Sequence, residues 1–309
     1  MKLYLAPLEG ITSYIYRKAL YQCFDGFDKY FIPFIRAKQN LNFSGREKKD
    51  ISPENNSGMY SVPQILTRNA DDFLRTANQL KEYGYQEVNL NLGCPSKTVV
   101  TKGCGAGFLA RPDELEQFLD RIYSKTDMKI SVKTRLGMEN AEEFPRLMEI
   151  YNRFPMEELI IHPRVQKDFY KNIPNLEAFG EALAISKNSV CYNGDKRIHA
   201  QFPNVECFMM GRGILADPSL AREIRGGKAA DQSDIRRFHD LLYHTYREEV
   251  SGDRNVLFKM KEIWFYLAPM FADSKKYAKK IKKSERCVVY ESAVNELFAN
   301  CRFTGTQSK

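Results

Sequence analysis

Polar residues that can bind ligands and move protons close a series of short apolar runs along this chain. In order they are Glu9, Gln64, Asn91, Cys94, Lys133, Arg135, His162, Arg164, Asn193, Asp195, Gly211 and Arg212. The sharpest stretch is Asn89-Leu90-Asn91-Leu92-Gly93-Cys94-Pro95, followed by the glycine-rich Gly103-Cys104-Gly105-Ala106-Gly107. A thiol just past an apolar run can serve as nucleophile, metal ligand or general acid. Cys94 has no partner at metal-ligand spacing and no clear histidine pairing, and a buried, inert thiol is the bland alternative.

Lys133 ends the β-branched run Ile130-Ser131-Val132-Lys133. A cation there is costly unless a ligand or a neighbouring carboxylate meets it. Gln64 offers a donor and an acceptor in a fixed pair, which suits the pyrimidine edge of a flavin. His162 is either a satisfied core histidine or a group at the mouth of a site. Met209-Met210-Gly211-Arg212-Gly213 runs into a helical segment, where backbone N–H groups and an arginine can hold a phosphate. Asn193-Gly194-Asp195 ends the preceding run, and the two stretches together favour a phosphate-bearing ligand.

The elements that must position these residues are eight apolar runs, at 3–7, 30–35, 62–66, 87–92, 130–134, 159–162, 189–193 and 207–210. Helical patterns separate them, for example 70–83 after Asn69 and 112–124 opening on Pro112. Eight alternating units predict an α/β fold, a (β/α)8 TIM barrel, and in such barrels chemistry collects where strands end. Residues 50–60, with Pro53, Asn55, Asn56, Ser57 and Gly58, read as a loop. After Gly226-Gly227 only helical patterns remain, such as 235–250, 255–270 and 288–300. The expected organisation is therefore a barrel over 1–232 and a small all-helical domain over 233–309.

That helical part carries Arg236-Arg237, Lys275-Lys276, Lys279-Lys280 and Lys282-Lys283 among Tyr243, Tyr246, Trp264, Phe265, Tyr266 and Tyr277. It is either a nucleic-acid surface or a solvated basic face over an aromatic core. The chain's net charge of +8 points weakly to a polyanionic partner. With 43% hydrophobic and 28% charged residues among 309, the composition is that of a folded soluble protein, not a disordered or fibrous one. Seven cysteines without CxxC spacing argue against a disulfide framework or a zinc site and fit a reducing cytoplasm. Four histidines do not support a His-rich metal site. No run reaches a membrane span, and the start lacks the apolar core of a secretory signal.

Taken in order, Ala6-Pro7 with Gly10-Ile11-Thr12, Gln64, Asn91-x-Gly93-Cys94-Pro95, Lys133-Thr134-Arg135, His162-x-Arg164, Asn193-Gly194-Asp195 and Met210-Gly211-Arg212-Gly213 resemble the tRNA-dihydrouridine synthase family. The resemblance implies a flavin-dependent oxidoreductase that reduces the C5–C6 bond of uracil in tRNA. It implies FMN above the barrel, with NADPH or NADH as reductant, Pro7, Gln64, Lys133, His162 and Asp195 among the cofactor-binding residues, and Asn193, Gly211 and Arg212 near its phosphate. Cys94 would donate the proton to C5 as hydride reaches C6, on a uridine drawn out of its stack. Asn91 and Arg135 would meet the substrate, and Arg254, Lys259 and Lys261 the RNA. No metal or membrane is implied, and an enzyme gripping one large tRNA can work as a monomer.

Two positions depart from the family pattern. Pro163 stands between His162 and Arg164 where glycine is usual, which removes an N–H. Leu66-Thr67 follows the glutamine run where glycine is common. Neither removes an expected catalytic group. A flavin barrel acting on a free dihydropyrimidine- or dihydroorotate-type molecule is the alternative, though it has no need of a basic helical tail. A tRNA-binding protein without catalysis has no need of a thiol acid.

Overall fold

The computed structural model spans the 309-residue chain and is described for residues 1–37, 39, 42–194 and 201–305. Its strands are β1 (Lys2–Leu5), β2 (Lys29–Arg36), β3 (Ser61–Leu66), β4 (Glu87–Leu92), β5 (Lys129–Arg135), β6 (Leu159–His162), β7 (Val190–Asn193) and β8 (Cys207–Met210). They pair in parallel, each with the next and β8 with β1, closing the barrel that the eight apolar runs predict. Every residue of β3 and β4 is buried, because in a barrel one face meets the interior and the other the surrounding helices.

Those helices begin where local chemistry satisfies their free N–H groups. Asn69 accepts from Asp72 N to start α3 (Ala70–Glu82). After α4 (Lys97–Val100), Pro112, with Asp113 and Glu114 in the first turn, starts α5 (Pro112–Lys125), and α6 (Phe144–Tyr151) and α7 (Leu176–Ile185) come later in the chain. The stretch 50–60 is more ordered than a loop. It takes in the end of α2 (Gly45–Ile51) and a 3-10 turn at Pro53–Asn56, where Asn56 Nδ2 donates to Asp50 O and Ser52 O at 2.9 Å each. Side-chain donors thus replace the helical ladder that Pro53 interrupts.

Inside the barrel, Tyr4, Ala6, Phe31, Val62, Ile160, Cys191, Cys207 and Met209 form one buried cluster. Polar side chains fill the interior of β4 and β5. Ser131 Oγ donates to Glu87 Oε1 at 2.9 Å and receives Asn89 Nδ2 at 3.0 Å. Glu87 also takes Lys29 Nζ at 2.8 Å, and Lys29 reaches Glu158 at 3.1 Å, so these buried charges are paired at the strand starts.

The chain divides into two compact units: 1–7 with 28–210, and 8–27 with 211–305 among the described residues. The second unit holds α1 (Tyr14–Cys23), the short α8 (Arg212–Ala216) and α9 (Leu220–Ile224), then α10 (Gln232–Glu249), α11 (Asp253–Leu267), α12 (Lys275–Lys283) and α13 (Cys287–Asn300). Its core is aromatic and hydrogen-bonded: Tyr290 Oη receives Trp264 Nε1 at 2.8 Å and meets His239 Nε2 at 2.7 Å. Of the aromatics interleaved with the basic clusters, Tyr243, Tyr246 and Trp264 are buried, whereas Phe265 is 75% exposed.

Candidate active site at the strand ends

The C-terminal ends of β3 to β7 bring Gln64, Asn91, Lys133, Arg135, His162 and Asn193 to one end of the barrel, with Cys94 on the loop after β4. The register of β3 on β4 sets Gln64 opposite Asn89. Gln64 Nε2 donates to Asn89 Oδ1 at 2.7 Å, and its Oε1 receives Asn91 Nδ2 at 2.6 Å. One amide N–H and one acceptor site of Gln64 remain for another group.

Asn91 then passes this order to the thiol loop. Its Oδ1 receives the backbone N–H groups of Gly93, at 3.1 Å, and Cys94, at 2.9 Å. The glycine-rich stretch closes over the loop from the other side. Ala106 N donates to Cys94 O at 3.1 Å, and Gly105 has φ +57°. A Cβ on Gly105 would lie 2.9 Å from Cys94 O and 2.8 Å from Val99 Cγ1, so only glycine fits there. Cys94 is half-buried, and that burial pushes its thiol up against the opposing pull of the Ser96 N–H, Arg36, Lys133 and Arg135. A thiol so placed carries its proton at neutral pH, as a general acid must.

Arg135 braces the same loop. Its Nε donates to Gly93 O, Nη1 to Val165 O and Nη2 to Phe169 O, each at 2.9 Å. The guanidinium is 2% exposed and lies over the Tyr170 ring at 5.4 Å, so three of its donors are engaged by backbone carbonyls. Phe169 is held at φ +49°, a conformation that costs a side-chain-bearing residue energy. The arginine bond to its carbonyl helps hold it there.

His162 is buried, and its two ring nitrogens have different partners. Nδ1 lies 2.8 Å from Asn193 O and Nε2 lies 3.1 Å from Arg164 Nη1. A carbonyl only accepts and a guanidinium only donates, so the proton sits on Nδ1 and Nε2 accepts. Burial, with the nearby cations Lys133 and Arg135, keeps the imidazole neutral and far below its usual titration range. Pro163, which lacks an N–H, still accepts Asn175 N at its carbonyl at 2.7 Å.

Lys133 is the unsettled charge of the site. Burial first, then Arg135, pulls its ammonium down to about 7. The carboxylate partner that a purely structural lysine would need is missing among the described residues.

Other expected residues lie elsewhere or are not described. Pro7 follows β1, whose line of bonds continues through Ala6 N to Met210 O at 2.8 Å. Asp195 lies outside the described residues. Gly211 and Arg212 open the second unit, where Gly211 O receives Ile214 N at 3.0 Å. Also in that unit, Lys259 Nζ donates to Gly10 O at 2.6 Å, while Arg254 is exposed in the first turn of α11. Arg36 and Arg68 were absent from the expected set. Arg36 acts on the charge state of both Cys94 and Cys104, and Arg68 on Cys104. Arg36 closes β2 much as Arg135 closes β5, so the rule that marked the other strand ends finds it too.

The comparisons with known proteins agree with this arrangement. The chain is 25% identical over 262 residues to a probable tRNA-dihydrouridine synthase of Staphylococcus aureus, covering 79% of this chain and 78% of that one. It is 27% identical over 248 residues to a tRNA-dihydrouridine(16) synthase of Ralstonia nicotianae, covering 75% of each. Among solved structures, the old yellow enzyme from Trypanosoma cruzi superposes with a TM-score of 0.52 at 9% identity, over 75% of this chain and 90% of that one, a likeness of fold alone. The family model for dihydrouridine synthase matches residues 4–299, and the chain belongs to that family of flavin-dependent oxidoreductases.

Proposed function

We propose that this protein is a tRNA-dihydrouridine synthase that reduces the C5–C6 double bond of uridines in tRNA, using FMN and NADPH or NADH. One observation carries the mechanism: a thiol kept protonated by burial, on a loop held by Asn91 and Arg135, within electrostatic reach of a lysine that lacks a carboxylate. The residues fit a flavin. A partly buried ammonium without a counter-ion is stabilised by an electron-rich ring edge, and the free donor and acceptor of Gln64 match a pyrimidine edge. Bound and reduced, FMN supplies the hydride that saturates C6 of uracil.

The chain's own residues do the rest. Cys94 Sγ gives its proton to C5, and the resulting thiolate is eased by the neighbouring Arg36, Lys133 and Arg135 before it regains a proton from solvent. Lys133, Gln64 and neutral His162 orient the cofactor, with Pro7 beside it. Asn193, Gly211 and Arg212 take its phosphate, and Asp195 belongs with the cofactor-binding residues. Asn91 and Arg135 serve the substrate by fixing the Cys94 loop. The uridine leaves its stack to reach this end of the barrel. Residues 233–309 form the RNA-binding part, with Arg254, Lys259 and Lys261 on α11 facing RNA. The enzyme acts in the cytoplasm as a monomer. Among the described residues no helix is long and apolar enough to cross a membrane.

The test is an absorbance spectrum of purified protein, followed by anaerobic NADPH and then unmodified tRNA. Flavin bands that bleach and return only with tRNA, with dihydrouridine in the recovered RNA, are expected. Cys94→Ala should keep the flavin spectrum and lose nearly all uridine reduction. Full activity in that variant would remove the thiol from the mechanism, and a protein that cannot be loaded with FMN would end the proposal.

A further inference from the structure

The second unit contains a groove of 1230 Å³ lined from α11 and α12. That exceeds the roughly 300–1,000 Å³ of small-molecule sites and suits a segment of a polymer. Phe258 and Phe265 line it from α11, seven residues apart and so on one helical face. They are 68% and 75% exposed, although Trp264 between them is buried. Large rings left in water beside a groove mark a binding surface.

The lining is also strongly cationic. Lys261 of α11 and Lys275, Lys276, Lys279 and Lys282 of α12 face two acids, Glu262 and Asp273. None of the five lysines is held by a carboxylate among the described residues. In α12 six of nine residues are lysine and none is arginine. Lysine meets phosphate as an adaptable point charge on a flexible stem, able to follow a backbone without a fixed pairing geometry. Flat apolar surface for bases beside cations for a backbone is the pattern of single-stranded nucleic-acid binding.

We propose that this groove binds an unpaired stretch of the RNA substrate, its bases stacked on Phe258 and Phe265 and its phosphates held by the α12 lysines. The proposal deepens, and rests on, the RNA-directed function above. The two phenylalanines thereby help decide which RNAs are bound productively, at a place separate in chemistry from the reduction of the uridine.

The test uses the full chain loaded with flavin, as wild type, as Phe258→Ala/Phe265→Ala and as Lys279→Ala/Lys282→Ala. All four positions are exposed, so the variants should fold. Binding is measured for unmodified tRNA, a short oligouridine and a blunt RNA duplex. The phenylalanine variant should bind oligouridine about tenfold more weakly and raise KM for tRNA by a similar factor. Its kcat, flavin spectrum and duplex affinity should stay as in wild type. The lysine variant should flatten the dependence of log affinity on log salt by about one to two. Equal oligouridine affinity and equal KM in wild type and the phenylalanine variant would overturn the proposal. So would a polyglutamate peptide that binds wild type but not the variants while RNA affinities agree. Loss of oligouridine binding in the variant, together with no dihydrouridine formation by wild type, would uphold the groove and sink the enzymatic function.

Discussion

At the scale of single residues, Cys94 and Lys133 show how burial, the largest influence on each, moves two groups in opposite directions. The thiol loses its ion and keeps its proton, whereas the ammonium loses its ion by giving its proton up. Lys133 therefore strains the protein without cofactor. At and below pH 7 it is charged in both folded and unfolded chains, and the folded state bears the burial cost in full. As pH rises from about 7, its value here, toward the ordinary 10.5 of a lysine, the unfolded chain holds a proton that the folded one lacks, and stability rises. Lys133→Met should thus melt above wild type when both are free of flavin, with the gap narrowing as pH rises from about 7 toward 10.5. The same variant should bind flavin more weakly. A gap that stays constant with pH in thermal melts would show that Lys133 is not the strained group.

At the scale of elements, the loop after β4 is positioned by β3, β5 and the loop after β6. Asn91 holds its start, and Arg135 ties it to Val165 and Phe169 through backbone carbonyls. Arg135→Lys keeps the charge but cannot span three carbonyls. It should cost roughly 2–4 kcal/mol of stability, since carbonyls that lose a donor in a closed site are expensive. It should also lower kcat more than it raises KM for tRNA, because the Cys94 loop loosens. Denaturant melts and steady-state kinetics check both. An unchanged kcat with the full loss of stability would confine Arg135 to the fold. Phe169, held at φ +49°, is the position whose hydrogen exchange or proteolysis should report the loosening first.

At the scale of the whole molecule, the compact units do not follow a simple cut of the chain. Tyr16 and Phe24, from the α1 region, pack edge-on against Phe238 of α10 at 5.6 and 5.4 Å, and Arg237 Nη2 donates to Cys23 O at 3.2 Å. Removing everything after Gln232 would bare these rings to water. A chain of residues 1–232 should accumulate insoluble or as a poorly structured species, by centrifugation and near-ultraviolet circular dichroism. A soluble, flavin-binding fragment of that length would show that α1 needs no cover from α10. Point changes on exposed faces are therefore the sounder way to separate RNA binding from flavin binding here.

The sequence by itself determined the eight strands, the order of the barrel and the residues that end each strand. These follow from local causes: burial on both faces makes continuous apolar runs, and polar residues end them where the chain meets the site. The resemblance carried by Asn91-x-Gly93-Cys94 and its companions named a family that the match over residues 4–299 bears out. Partners far apart in the chain came only from the tertiary structure. Gln64 and Asn89 are 25 residues apart, and Arg135 and Gly93 are 42, so neither pairing exists until strand register sets it. The same holds for the aromatic residues near the basic clusters. Spacing alone could not say that Trp264 is core and Phe265 surface, because adjacent helix positions point about 100° apart and the packing partner decides which of them is covered.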